Sequence, residues 1–414
     1  MTDLTPAQQK IRDELDGMFV VDAGPGTGKT HTIVERYVEL ISRDDVSPKD
    51  VLLLTFTNNA AAEMDERIKK RMTELGLEKD SKLVQTKTFD AFCLSIIMDS
   101  PDQVSDFFGF EERLTRSATI QQNETLNQDY FTQFMDDFLN RKGEDYGDVA
   151  IIASEYPESI MKLIEKLMSR GLIPLKKGWF GSNWERDLLG DTDLILANLK
   201  EGNAVNKNNN CANASVIKEI DEDDGFMLPV KTADGSLPVK SLEEAAAEDR
   251  TLLFSFIHDI YFDYIRKNIS DNRLTFGLNA MLAFTVLYGK HSVRERNSYR
   301  YLMVDEFQDT NANQMMISLM ILSEPNLCVV GDWKQGIYGF RFVTIENIID
   351  FERKAVEMRR FLNDDYTRIR YRIPEISKLP LDVNFRSSQQ IIDKAFECIC
   401  MPATSDEAKN NKPD

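Results

Sequence analysis

The stretch VVDAGPGTGKT, residues 20–30, decides the fold of this chain. It reads as a short apolar strand, a glycine-rich turn and the first residues of a helix. The part AGPGTGKT, residues 23–30, has the form of a phosphate-binding loop. An ordinary glycine-rich turn is the alternative, but the apolar strand before it and the amphipathic helix after it favour phosphate binding.

The residue types of this turn suit a bound anion. Glycines let the backbone curl so that successive N–H groups face a phosphate, and the helix that follows adds its unpaired N–H groups and positive dipole end. Lys29 can then reach the β- and γ-phosphates, and the Thr30 hydroxyl can bind Mg²⁺. Ala23 stands where the strict pattern has glycine. The predicted nucleotide-binding residues of the turn are Ala23, Gly24, Pro25, Gly26, Thr27, Gly28, Lys29 and Thr30.

Apolar runs of strand length alternate with helical patterns along the chain. The continuous run at 51–56 is typical of a buried parallel strand, and the helical pattern after it favours a crossover connection. Further strands are predicted at 82–89, 301–304, 327–330 and 379–383. The sequence therefore predicts an α/β fold of the P-loop NTPase type, with a parallel sheet and a mostly helical insertion over residues 99–272.

Composition excludes several classes of protein. A net charge of −19 argues against coating nucleic acid by bulk charge, although a local groove can still bind a strand by stacking. Five scattered cysteines predict free thiols in a reducing cytoplasm, and three histidines argue against histidine-based catalysis. We expect no membrane partner, because no apolar run approaches the length of a span.

A carboxylate pair follows the predicted strand at 301–304. Carboxyl ends of parallel strands face the nucleotide crevice, so Asp305 is placed to bind Mg²⁺ and Glu306 to act as general base on a water. Gln335 follows the next strand and is a candidate sensor of the γ-phosphate, while Arg386 is a candidate for stabilising transition-state charge. The alternative for an isolated Asp-Glu pair is a solvated turn.

Three other side chains permit two interpretations each. Tyr338 and Phe340, in a glycine-containing turn, can stack on bases or simply cap the core, and on their own we favour the core. Gln8, in a helix that Thr5 and Pro6 are predicted to start, is by spacing alone a solvated residue.

Four strings extend this prediction: TFTNNAAAEM (55–64), VDEFQDTNANQ (304–314), VVGDWKQGIYGFR (329–341) and NFRSS (384–388). In this order after the phosphate loop, they resemble the UvrD/Rep/PcrA group of superfamily-one DNA helicases. The resemblance covers about 1–98 and 273–395 and is weak in the insertion.

The resemblance implies an ATP-driven motor that moves 3′ to 5′ on single-stranded or 3′-tailed DNA, in repair or replication restart. Two RecA-like domains would clamp ATP and Mg²⁺ between them. Gln8 would read the adenine edge and Phe385 would stack on the base, while Lys29, Thr30, Asp305, Glu306, Gln335 and Arg386 keep the roles given above. The implied DNA contacts are Phe56, Asn58, Thr88, Phe89, Tyr338 and Phe340. The long insertion could recruit a protein partner.

The chain also departs from the pattern of this group. Asp90 replaces a DNA-contacting histidine, Asn59 replaces a lysine, and Trp333 and Lys334 replace acidic residues. The resemblance predicts a first RecA-like domain over 1–98 and 273–345, the insertion over 99–272, and over 346–414 a connector with the opening of a second RecA-like domain near Leu379.

On that basis we expect an N-terminal portion of such a helicase, with weak or no activity alone. The alternatives are a nucleotide-gated protein- or DNA-binding module without motor activity, and a portion of a RecB-like helicase–nuclease. A small-molecule kinase has no support beyond the loop.

Overall fold

A six-stranded sheet forms the centre of the computed structural model, which describes residues 4–154, 157–180, 250–332 and 350–399. Its strands are β1 (Met18–Ala23), β2 (Val51–Thr55), β3 (Gln85–Thr88), β6 (Tyr301–Val304), β7 (Leu327–Gly331) and β8 (Ile376–Leu381). The strand order is β3-β2-β6-β7-β1-β8, and every neighbouring pair is parallel. The mixed α/β architecture with a parallel sheet is therefore as predicted.

Side chains of the strands alternate between two apolar cores, one on each face of the sheet. In β1, Phe19 and Val21 enter one core, and Met18 and Val20 enter the other. This alternation is the two-residue period of an extended strand. The continuous apolar runs of the sequence are thus explained by burial on both faces.

Three helices cover the face that carries Phe19 and Val21. They are α1 (Pro6–Asp13), α2 (Lys29–Ile41) and α3 (Asn58–Glu74). The opposite face packs against α4 (Phe89–Asp99), α10 (Phe276–Gly289), α12 (Ala312–Met320) and α13 (Phe351–Leu362). The short α11 (His291–Arg296) precedes β6, and α14 (Gln389–Ile399) follows β8.

The chain between α4 and α10 is mostly helical where it is described. Its helices are α5 (Pro101–Phe108), α6 (Glu124–Lys142), α7 (Gly147–Ser154), α8 (Pro157–Ser169) and α9 (Arg250–Ser270). A short parallel pair, β4 (Thr119–Ile120) and β5 (Arg273–Leu274), brings the two ends of this region together. Its apolar residues are continuous with the core on one face of the sheet.

Two predictions are corrected by the sheet. The strand expected at 379–383, as the opening of a second domain, is β8 and pairs in parallel with β1 at the edge of the first sheet. The strand expected over 82–89 ends at Thr88, because the Thr88 hydroxyl caps α4 and Phe89 is the first residue of that helix. Across the described residues, no helix is both long enough and apolar enough to span a bilayer.

Candidate active site

The carboxyl ends of β1 and β6 bring together three of the predicted catalytic residues, Lys29, Asp305 and Glu306. β1 leads into residues 24–28, here called the glycine loop, and α2 begins directly after it at Lys29. β6 leads into Asp305 and Glu306. Since the strands are parallel and only β7 separates them, these residues meet at one edge of the sheet.

Two glycines allow the loop its conformation. Gly26 and Gly28 have φ angles of 75° and 83°, a left-handed backbone that side chains rarely adopt. There is also no room for a side chain at either glycine. A Cβ on Gly26 would lie 2.6 Å from Cβ of Arg386, and a Cβ on Gly28 would lie 2.7 Å from Nε2 of Gln8. Ala23 has no such constraint, because it is the buried last residue of β1.

Lys29 and Glu306 form an ion pair across the edge of the sheet. Lys29 Nζ lies 3.3 Å from Oε2 of Glu306, with the lysine side chain 13% exposed. Thr30 is half-buried one residue further along α2. The predicted phosphate-binding lysine and the predicted base therefore lie in one cluster of side chains.

Asp305 is buried beside this pair. Burial raises the pKa of Asp305 to about 7, and the Glu306 carboxylate adds to the rise while the Lys29 ammonium opposes it. Its Oδ1 has no hydrogen-bond partner among the described residues. A buried carboxylate oxygen without a donor is costly unless a cation balances it, so this atom fits a ligand of a divalent metal.

Gln308 holds the Glu306 carboxylate from the other side. Its Nε2 donates to Glu306 Oε2 at 2.7 Å, and its Oε1 accepts from the Asp332 N–H at 3.0 Å, at the end of β7. Glu306 itself has a left-handed φ of 51°. The sequence reasoning gave Gln308 no role, although it lies within the string VDEFQDTNANQ.

Gln8 and Phe385 both lie close to Gly28. The position that a Cβ on Gly28 would take is 2.7 Å from Gln8 Nε2 and 3.8 Å from Cδ2 of Phe385. Gln8 is 3% exposed and donates to the Thr27 carbonyl, so the interpretation of a solvated residue is wrong. Phe385 is 55% exposed, which leaves its ring open to stacking.

The turn that carries Arg386 docks on the glycine loop. The Phe385 N–H donates to the Gly26 carbonyl at 2.8 Å, and Asn384 Nδ2 donates to the Pro25 carbonyl at 2.7 Å. Arg386 is exposed. Asn384, which the sequence reasoning also gave no role, thus links two parts of the site that are far apart in the chain.

The predicted DNA contacts differ in exposure. Phe56 is half-buried, with its ring centroid 5.5 Å from that of Phe89, and Asn58 is exposed at the start of α3. Phe89 is 1% exposed and Thr88 is a buried cap, so the Phe89 ring cannot contact a base in this structure. Gln335, Tyr338 and Phe340 lie outside the described residues.

ATP with Mg²⁺ fits the residues that are present. The glycine loop has the left-handed glycines of an anion cradle, Lys29 supplies a cation, and the buried Oδ1 of Asp305 is without a donor in the described part of the chain. The exposed Phe385 ring beside Gly28 is suited to a flat base.

Comparison with known proteins agrees with this geometry. The family described as the UvrD/REP helicase N-terminal domain matches residues 4–356. The chain is 25% identical to ATP-dependent DNA helicase PcrA of Staphylococcus aureus over 387 residues, which cover 93% of this chain and 38% of that protein. PcrA of Staphylococcus epidermidis is 24% identical over the same length. The chain spans 38% of the length of these relatives. It belongs to the UvrD/REP helicase family.

Proposed function

We propose that this chain binds and hydrolyses ATP at the edge of the sheet, as the first motor domain of a DNA helicase that moves 3′ to 5′ on single-stranded DNA. The observation that carries the proposal is the ion pair of Lys29 with Glu306 beside the buried Asp305. It brings a cation, a general base and a metal ligand to the end of a glycine loop.

Each residue has a separate task in this proposal. The glycine loop and Lys29 bind the phosphates, and Lys29 changes partner from Glu306 to the γ-phosphate. Glu306, held by Gln308, is then free to accept a proton from the attacking water. Thr30 and Asp305 would hold Mg²⁺, which neutralises charge on the phosphates when it is bound. Arg386 would add positive charge where the phosphoryl group is transferred.

Base recognition is proposed for Gln8 and Phe385, the two side chains that lie close to Gly28. Gln8 would face the adenine edge and Phe385 would stack on its ring. DNA would contact the surface near Phe56 and Asn58, and Tyr338 and Phe340 would stack on bases. Repair or replication restart is the proposed setting, in the cytoplasm, and the region 99–272 is the proposed insertion domain and candidate surface for a protein partner.

Because weak activity is expected of this chain alone, the test is single-turnover ATP hydrolysis with protein in excess and single-stranded DNA present, in the wild type, Glu306→Gln and Tyr338→Ala. Loss of the general base lowers turnover by about 10²–10⁴-fold while nucleotide binding persists. Tyr338→Ala leaves ATP binding intact and weakens affinity for single-stranded DNA by about tenfold, which is the loss of one stacked base. The matched control is Tyr366→Ala, which removes an exposed ring elsewhere in the chain.

Three results contradict the motor proposal. Absence of ATP binding removes its premise. ATP binding without any affinity for single-stranded DNA at low salt points to a nucleotide-gated module instead. Unchanged turnover in Glu306→Gln rules out the assigned base.

A further inference from the structure

The carbonyl groups of the glycine loop are held by residues from two distant parts of the chain. Gln8 Nε2 donates to the Thr27 carbonyl at 3.2 Å, Asn384 Nδ2 to that of Pro25 at 2.7 Å, and the Phe385 N–H to that of Gly26 at 2.8 Å. Three consecutive peptide carbonyls of the loop therefore accept hydrogen bonds from other parts of the chain.

Fixing a carbonyl also fixes the N–H of the same peptide unit. All described peptide bonds are trans, and in a trans peptide the C=O and the following N–H point in opposite directions. The bonds to Pro25 and Thr27 therefore turn the N–H groups of Gly26 and Gly28 away from Asn384 and Gln8. N–H groups that share one side of a loop make an anion-binding concavity.

Asn384 is the side chain that connects this arrangement to Arg386. Its Oδ1 accepts from the N–H groups of Arg386 at 2.9 Å and Ser387 at 2.8 Å. Its Nδ2 faces the Pro25 carbonyl, so both ends of the amide have the partner that their chemistry requires. One side chain thus folds the turn that carries Phe385 and Arg386 and ties that turn to the loop.

On the basis of the proposed nucleotide binding, we propose that Asn384 is a positioning residue: it orients the Pro25–Gly26 peptide so that the Gly26 N–H faces the phosphates, and it holds Arg386 against the same loop. Asn384 does not touch the nucleotide in this role. Packing supports the coupling, because the site of a Gly26 Cβ is 2.6 Å from Cβ of Arg386. A movement of the Arg386 turn toward the loop would therefore press on the backbone of Gly26.

Two substitutions separate orientation of the loop from folding of the turn. Asn384→Asp keeps the acceptor for Arg386 and Ser387 but removes the donor to Pro25. Asn384→Ser is a neutral counterpart, because its hydroxyl can still accept from the turn but is too short to reach Pro25. Gln390→Ala, an exposed change a few residues further on, is the matched control.

The Pro25–Gly26 peptide can be observed directly, since it is the only Pro-Gly pair in the sequence. Labelling proline with ¹³C at the carbonyl and glycine with ¹⁵N gives a single carbonyl–amide correlation in the full chain. Without nucleotide, both Asn384 variants are expected to move the Pro25 carbonyl to lower frequency, as it loses a hydrogen bond, while Gln390→Ala leaves it in place. ADP with Mg²⁺ is expected to bind Asn384→Ser about tenfold more weakly than the wild type, the loss of one oriented contact.

The two measurements keep this inference apart from the proposed function. An unmoved correlation in both Asn384 variants overturns the orienting contact. A moved correlation with unchanged ADP affinity overturns its role in binding. Failure of the wild type to bind ADP overturns the proposed function, while the correlation still decides whether Asn384 orients the loop.

Discussion

Lys29 Nζ lies 3.3 Å from Glu306 Oε2, and the two residues are joined although 277 positions separate them in the chain. The lysine begins α2, directly after the loop that follows β1, and the glutamate follows β6, so the pair joins the ends of two elements that meet at the same edge of the sheet. With the lysine largely buried and the glutamate partly exposed, the pair can open toward an incoming anion. A phosphate that recruits Lys29 would release Glu306 for its proposed role as base.

Lys29→Ala is expected to lower affinity for ATP by about 100-fold or more, because it removes a charged donor to the phosphates. Titration with a fluorescent ATP analogue measures this. Lys10→Ala is the control, since Lys10 forms an exposed ion pair with Glu14 in α1. Equal affinities in Lys29→Ala and Lys10→Ala would remove the phosphate role of Lys29.

Asp305→Asn is expected to stabilise the unliganded protein at alkaline pH. Burial raises the pKa of Asp305 to about 7 from an ordinary value near 3.8, so the folded state retains a proton that the unfolded chain loses. The free energy of unfolding therefore falls as the pH rises from the unfolded to the folded pKa of Asp305, and it stays at this lower value at higher pH. Asparagine removes the cost of burying a charged carboxylate and should raise the Tm at about pH 8 by about 3 °C.

The measurement is thermal unfolding of both proteins across that pH range, without nucleotide. Asp22→Asn, an exposed change at the end of β1, is the control. The same Asp305 variant should lose the Mg²⁺-dependent part of ATP affinity. A Tm that drops in Asp305→Asn at alkaline pH would show that the carboxylate is needed for the fold itself.

The strands, and the position of the carboxylate pair at the edge of the sheet, could be predicted because their signals are local. The run at 301–304 is apolar in every position, and parallel pairing carries Asp305 to the same edge as the loop after β1. Which strands pair with each other was harder to predict, because the sequence of one strand does not indicate which other strand it will pair with. β8 was therefore assigned to a second domain, whereas it pairs with β1.

The contacts that organise the glycine loop were missed for a related reason. Gln8 has the spacing of a solvated helical residue, and its burial arises only when α1 folds against a loop nineteen residues away. Asn384 acts across 359 positions of the chain. Phe89 was expected beside DNA, but capping by Thr88 begins α4 there and turns its ring into the core.

Gln8→Glu is expected to lower the free energy of unfolding by about 1 kcal/mol and to weaken ATP binding. A carboxylate can still accept from the Thr5 N–H, as Gln8 Oε1 does at 3.0 Å, but it cannot donate to Thr27. Urea unfolding and nucleotide titration measure the two effects. Gln9→Glu is the control on the exposed side of α1. Matching stability and affinity in the two variants would contradict the role of Gln8 in holding the loop.

His258 is expected to make stability depend on pH above the ordinary pKa of a histidine. Its Nδ1 lies 2.8 Å from Asp259 Oδ1, and its Nε2 lies 2.9 Å from the Leu175 carbonyl and 3.0 Å from that of Gly178. Both ring nitrogens therefore face acceptors, which favours the imidazolium. Burial lowers the pKa of His258, but Asp259 and these carbonyls outweigh burial and the net shift is upward.

Because the folded pKa is raised, this stabilisation is fully present below the unfolded pKa of about 6.5 and is lost as pH rises through the folded value. The groups facing the pair are Tyr146, which donates to Asp259, and Lys142, which lowers the pKa of Asp259. Both keep the carboxylate charged throughout this range.

His258→Gln should remove this dependence, so that wild type and variant differ in Tm at about pH 6 and converge as the pH rises through the folded pKa of His258. His291→Gln, at an exposed histidine beside Glu295, is the control. Asp305 does not confuse the comparison, because both proteins retain it and its effect is common to them. A Tm difference between wild type and His258→Gln that stays constant across this range would show that His258 acts through packing against Phe262 and Trp179 rather than through its charge.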